Sequence, residues 1–441
     1  MLARVTPSLR LTRITRSQNV TPTGTRPYSA LAQKIEHSSR TESISLPREQ
    51  LISHSLDPFA LIAPELNHLR SCLISLLGSA HPGLSEIAEY YFFDPRKQIR
   101  SSTVLLFAKA TNGLGKGWQD KQFTSSFADV YRLRQPTIDL PTPPRPPPSS
   151  PLESSITSGV VSPPLLLPTQ IRLAQIVEMI HVASLLHDHI SPSSEADAIY
   201  QQNSIDNKLA ILGGDFLLGR ASTALSHLGE SEVVELIASV ISNQVEGEIL
   251  RMDSVQTPKL GRLRGPSSLD GAWDVYFKQI YLKTASLMAK SARGAVVLGG
   301  SRDTEVWKDV AYAYGRNLGI AHQLAEDACL FEVGLSELRP GLATAPVLFA
   351  WEEHPDLQSY VRRNFSTNGD LEAVSFFPDS DHSTYSSLVC KAFDYVSRSS
   401  GIERTRVLAR SYTQKARDVL RILPDSSTRL GLETLTQLVI D

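Results

Sequence analysis

An all-α fold is predicted for this chain because apolar residues recur at helical spacing over most of its length and strand-like alternation is almost absent. The stretch from Ile171 to Ser222 organises the rest. Its first half sets Ile176, Met179, Ile180, Ala183 and Leu186 at helical spacing, interleaves Glu178, His181 and His187, and ends on Asp188. A broken, polar loop follows, and a second helix opens near Asp206 and Asn207, carrying Lys208 and Asp215 on an otherwise apolar run. The pair reads either as a buried helix delivering polar groups to a site or as two core helices with incidental polar residues, and periodicity alone leaves both open.

The other elements follow in order. From Ser45 to Gly78 the pattern is mixed, with a helix through Leu61 to Leu77 interrupted by Pro64. His81-Pro82 marks a turn, and Leu84, Ile87, Ala88 and Tyr91 make an amphipathic helix that leads into FFDPRKQIRSSTVLLFAKATNG. Residues 135–168 are rich in proline and serine, so they read as an exposed, mobile insertion that interrupts one domain; recognition by an SH3-like partner is the second reading. Later helices run from Glu232 to Arg251, from Trp273 to Arg293 and from Ile402 through Leu423.

Composition narrows the class. With 441 residues, 41% hydrophobic and 20% charged, the chain can bury a large core, and its net charge of −2 carries no electrostatic footprint for nucleic acid. No apolar run is long enough to span a bilayer. Cys72, Cys329 and Cys390 lie too far apart in sequence to show metal-ligand spacing or a disulfide framework. Arg4, Arg10, Arg13, Arg16, Arg26 and Lys34 occur among many serines and threonines with no acid, the composition of a mitochondrial transit peptide; a basic disordered tail is the alternative. The expected organisation is a transit peptide and flexible amino end over residues 1–45, then one all-α domain over 46–441. Losing those six positive charges takes the net charge from −2 to −8.

E-x-x-H-x-A-S-L-L-H-D from Glu178 to Asp188, followed by N-K-x-A-x-L-x-G-D-F-L-L from Asn207, resembles the trans-polyprenyl diphosphate synthase family. Lys97 and Arg100 match the lysine and arginine of the family's G-K-x-x-R-P, with Arg96 and Ser101 in place of its glycine and proline. Lys283-Thr284 matches its K-T, and Gly315, Gly319, Ala321 and Gln323 match G-x-x-x-G-x-A-F-Q. The resemblance runs from about Leu84 to Val439 outside the insertion. It implies an isoprenoid synthase-type helical bundle around a central apolar cavity. It implies that Lys97, Arg100 and Lys208 bind substrate, that Lys283, Thr284 and Gln323 serve catalysis, and that Ala183 and Ser184, five and four residues before Asp188, line the product channel.

The aspartate-rich motifs depart from the family. Where D-D-x-x-D is usual, the chain reads Asp188, His189, Ile190, Ser191, Pro192, and later Glu326, Asp327, Ala328, Cys329, Leu330. Mg²⁺ demands oxygen ligands in near-octahedral array, which Pro192 and Leu330 cannot supply and His189 supplies poorly. Proline also disfavours helical geometry at Ser191, so the first helix is expected to end early. A weakened Mg²⁺ site of Asp188, Glu326 and Asp327 is therefore expected, with Glu195 and Asp197 as candidate substitutes.

Two readings of function follow from the resemblance. One is a catalytically impaired or non-catalytic subunit of ubiquinone side-chain synthesis, acting with an active synthase as a homodimer or heteromer in the mitochondrial matrix or at its inner membrane. The other is an active prenyltransferase joining isopentenyl and allylic diphosphates through a remodelled Mg²⁺ site, for ubiquinone or a specialised terpenoid. An unrelated all-α binding protein is the third.

Overall fold

In the computed structural model of the chain, the described residues are 57–80, 95–124, 166–188, 200–255, 266–333, 343–362 and 393–440. All of them fall within one compact unit, Ser55–Asp441, and none forms a strand. In chain order the helices are α1 (Ala63–Ala80), α2 (Ile99–Thr111), α3 (Pro168–Asp188), α4 (Tyr200–Ser226), α5 (Ser231–Val255) and α6 (Leu269–Ile280). After a π-helical turn at Tyr281–Ala285 come α7 (Ser286–Leu298), α8 (Trp307–Val333), α9 (Ala345–Glu353), α10 (Leu357–Arg362), α11 (Gly401–Leu420) and α12 (Ser427–Leu438). The helices expected over residues 84–91 and the insertion up to residue 165 lie outside the described residues.

A helix buried on every side belongs at the centre of a bundle, and α2 and α3 are of that kind. In α2 even Ser101, Ser102 and Thr103 are buried, and in α3 burial runs almost without interruption from Gln170 to Ala183. Their polar groups are met locally: Thr103 Oγ1 donates to Ile99 O at 2.8 Å, and Asn112 and Gln170 pair reciprocally through their amides at 2.9 and 2.7 Å. Gln170 also donates to Ala295 O at 3.0 Å, which joins α3 to α7.

Long α8 unites two apolar clusters. Val310, Tyr314 and Leu318 pack into the larger one around α2 and α3, while Ile320, Leu324 and Phe331 pack with α6 and α9. Tyr314 is fully buried, meets Phe107 edge-on at 5.0 Å and satisfies its hydroxyl by donating to Leu432 O at 2.8 Å. Along α11, Thr405, Ala409, Thr413 and Ala416 form a small-residue face buried against α8.

Several boundaries differ from expectation for local reasons. Pro64 does not interrupt α1; it sits in the first turn, where its missing N–H costs nothing. The proline-rich stretch joins the fold at its end, with Leu166 and Leu167 buried and Pro168 opening α3. Helix α4 begins at Tyr200, before the expected Asp206. The continuous helix read from Trp273 to Arg293 is broken into α6, the π turn and α7.

Candidate active site

The π turn carries Lys283 and Thr284, and its extra residue per turn changes the direction of both side chains relative to an unbroken helix. Lys283 Nζ reaches the end of α3, 3.0 Å from each oxygen of Asp188, and also donates to Glu248 Oε2 on α5 at 2.6 Å. Glu248 in turn accepts from Arg251 Nε at 2.9 Å. Burial would raise the Glu248 pKa, but hydrogen bonds from Arg251 and Lys283 outweigh it and hold the carboxyl below its usual range. A Cβ at Gly247 would come within 2.8 Å of Lys283 Cγ, so glycine there makes room for the lysine stem.

Thr284 belongs to a second chain of hydrogen bonds. It donates to Gln323 Oε1 at 2.8 Å; Gln323 Nε2 donates to Asp327 Oδ1 at 3.0 Å; and Tyr276 donates to Asp327 Oδ2 at 2.7 Å. Desolvation dominates at Asp327 and pushes its pKa up to about 6 despite those two bonds. Gly319 allows this meeting, because a Cβ there would lie 2.6 Å from Ala285 Cα.

Arg100 centres a third group. It opens α2, is 7% exposed, and among the described residues its guanidinium makes no hydrogen bond or ion pair. Burial lowers its pKa, while Glu326 and Glu178 act from a distance to raise it. Glu178 is itself buried, accepting the Ser101 N–H at 3.0 Å, and His181 one turn further along α3 lies within the field of Arg100. His322 on α8 faces the same cation and pairs with Glu326 at 3.3 Å.

His181 yields a pH signature. Burial first, then Arg100 and His322, depress its pKa well below 6.5. Above about pH 6.5 it is neutral folded and unfolded; below that, the unfolded chain takes a proton the folded site refuses, so stability falls with pH. His181→Gln is expected to lose less stability than the parent between pH 7.5 and 5.5 in urea titrations. Identical pH dependence in the two proteins would refute this.

Of the expected site residues, Lys283 and Asp188 meet directly, and Thr284, Gln323 and Asp327 share one network. Ala183 is fully buried and Ser184 half-buried on α3, within two turns before Asp188. Lys97 and Arg100 part company: Lys97 is exposed in a 3₁₀ turn (Pro95–Gln98), whereas Arg100 is buried. Lys208 is exposed on α4. The trio Asp188, Glu326 and Asp327 does not gather around a common cation position: among the described residues no three His, Cys, Asp or Glu side chains do. Both oxygens of Asp188 and of Asp327 are taken by protein donors, and Glu326 faces His322. The donor set described thus does not fit Mg²⁺. The remaining positions of the first aspartate motif, with Glu195 and Asp197, lie outside the described residues.

Glu248, Arg251 and Tyr276 were not singled out as site residues from sequence, and His181 was noted only as a polar residue on an apolar face. Glu248 and Arg251 stand one turn apart on α5 like any helical ion pair, and only the approach of Lys283 gives them a role.

The described helices thus form a bundle with a buried arginine on one of them and, between others, a lysine on a π turn facing two carboxylates. The model of the polyprenyl synthetase family matches residues 162–375. Over 454 aligned residues the chain is 33% identical to the mitochondrial hexaprenyl pyrophosphate synthase of Saccharomyces cerevisiae, covering 87% of this chain and 90% of that one. It is 33% identical to decaprenyl-diphosphate synthase subunit 1 of Schizosaccharomyces pombe, covering 86% and 90%. An apo Arabidopsis medium/long-chain prenyl pyrophosphate synthase superposes with a TM-score of 0.52 at 28% identity, covering 87% and 99%. The chain belongs to the polyprenyl synthetase family. Its relatives include several named mitochondrial, in agreement with the localisation read from its basic amino-terminal residues. No described helix is long and apolar enough to cross a membrane.

Proposed function

We propose that this protein binds prenyl diphosphates in mitochondrial ubiquinone side-chain synthesis and acts as a catalytically impaired subunit beside an active synthase. The observation that carries the reading is the contrast between its cations and its carboxylates. Arg100 is buried without a partner among the described residues, a cost that an incoming diphosphate removes. Asp188 and Asp327, which the family uses toward Mg²⁺, are committed to Lys283, Tyr276 and Gln323. Binding without efficient ionisation of an allylic diphosphate follows, since the metal normally neutralises the departing oxygens.

A subunit role has a surface to support it. Ile211 and Leu212 on α4 and Val245 and Ile249 on the neighbouring α5 are 42–55% exposed, an apolar face that a second chain would cover. The fission-yeast relative is named as a subunit, which favours assembly with a partner. The second reading, an active prenyltransferase with a remodelled Mg²⁺ site, is favoured by the near full-length similarity to a hexaprenyl pyrophosphate synthase.

The test is incubation of the purified chain with isopentenyl diphosphate, farnesyl diphosphate and Mg²⁺. The expected result is substrate binding without chain elongation, and altered product yield when an active synthase of the family is added. Efficient elongation by the lone chain would establish the second reading.

A further inference from the structure

We infer that a face formed by α6, α9 and α11 docks the protein on an anionic membrane surface. Four half-buried rings run in a continuous row across these helices. Phe349 on α9 meets Trp273 on α6 at 4.7 Å, Trp273 stacks on Phe277 one turn along at 5.7 Å, and Phe277 meets Tyr412 on α11 at 6.1 Å. A cation closes each end of the row, the Arg404 guanidinium 4.3 Å from the centre of Phe349 and Lys415 Nζ 4.4 Å from that of Tyr412. Leu408 lies half-buried between them along α11, and Ile422, just past the end of that helix, is 45% exposed.

Packing within the fold accounts for Arg404, whose charge Glu352 meets at 2.5 Å. It does not account for Lys415, or for Arg316, an exposed α8 residue whose field reaches Tyr412: among the described residues neither has a carboxylate partner. Rings with a wet edge, flanked by cations that lack acids, suit the headgroup layer of a bilayer. The rings enter the boundary between headgroups and acyl chains, and the ammonium and guanidinium meet lipid phosphates. The face differs in chemistry from the aliphatic one on α4 and α5 that a second chain would cover. No described helix can cross a membrane, so attachment by these residues is at the surface. Asp274, exposed beside Trp273 on α6, opposes the attraction. On the functional reading above, docking sets the protein beside the bilayer in which a lengthening isoprenoid chain dissolves, but the docking itself does not depend on that reading.

Flotation of the full chain with vesicles of phosphatidylcholine, with and without phosphatidylglycerol, tests the inference. The basic amino-terminal residues draw the chain to anionic vesicles by themselves, so the deciding signals are local. Acyl chains brominated near the headgroup are expected to quench Trp273, a loss of fluorescence that Trp273→Phe abolishes. Combining Lys415→Glu with Arg316→Glu should weaken binding to anionic vesicles by roughly tenfold or more. Asp274→Lys should tighten it by roughly tenfold, a gain that misfolding cannot mimic. Equal quenching in the parent and in Trp273→Phe, or an affinity indifferent to these charge changes, would overturn the inference. If the charge changes abolish the effect on an active synthase and leave vesicle binding unchanged, the face belongs to a protein partner and membrane docking is refuted. Either failure leaves the reading of the prenyl diphosphate site untouched.

Discussion

Arg100→Leu is expected to weaken isopentenyl diphosphate binding by roughly a hundredfold or more while leaving the free protein as stable as the parent or more so. The two effects share a cause. Among the described residues the guanidinium is desolvated with no hydrogen-bonded acceptor, and only the distant charges of Glu178 and Glu326 offset that. Two charge-assisted contacts to a diphosphate, at about 1.5–3 kcal/mol each, account for the binding loss. The shorter, aliphatic leucine removes the buried charge, worth about 1–2 kcal/mol of stability in its favour. Calorimetric titration and urea unfolding of the two proteins measure both quantities. Unchanged affinity combined with lower stability would mean that Arg100 is a structural cation, and the anion site would have to be sought elsewhere.

Gly315→Ala should destabilise the fold by about 2–3 kcal/mol, although alanine is the better helix former by about 1 kcal/mol. A Cβ at residue 315 collides with the Met288 carbonyl and comes within 2.8 Å of Ala289 Cα, backbone atoms that cannot rotate away. Helices α7 and α8 must then separate, and the Thr284–Gln323 bond, which depends on that approach four residues further along α8, lengthens with them. The control is Gly219→Ala on α4, where an added Cβ meets nothing within 4 Å and helix propensity alone should add about 0.5–1 kcal/mol. Opposite signs for the two glycines in chemical denaturation are the expected outcome; equal effects would show that α7 and α8 do not pack this closely.

The all-α class and the central position of α3 were legible because each rests on a regular signal, helical spacing or unbroken apolarity; the contact of Lys283 with Asp188 was not read from the sequence. The break between α6 and α7 was not, since a π turn inserts one residue without disturbing the apolar pattern that marks a helix. Lys97 and Arg100 looked equivalent as two basic residues three apart. The change from a 3₁₀ turn to α2 between them leaves one exposed and the other buried.

By itself the sequence determined the helical architecture and the family, since these depend on residue type, spacing and order along the chain. Tertiary structure alone decided which charges are neutralised. Glu248 reaches Lys283 across 35 residues of sequence, and Arg100 meets the fields of His181 and His322 only where α2, α3 and α8 converge. Electrostatic interaction depends on distance and on the water excluded between charges, and neither is written in the spacing of residues along a chain.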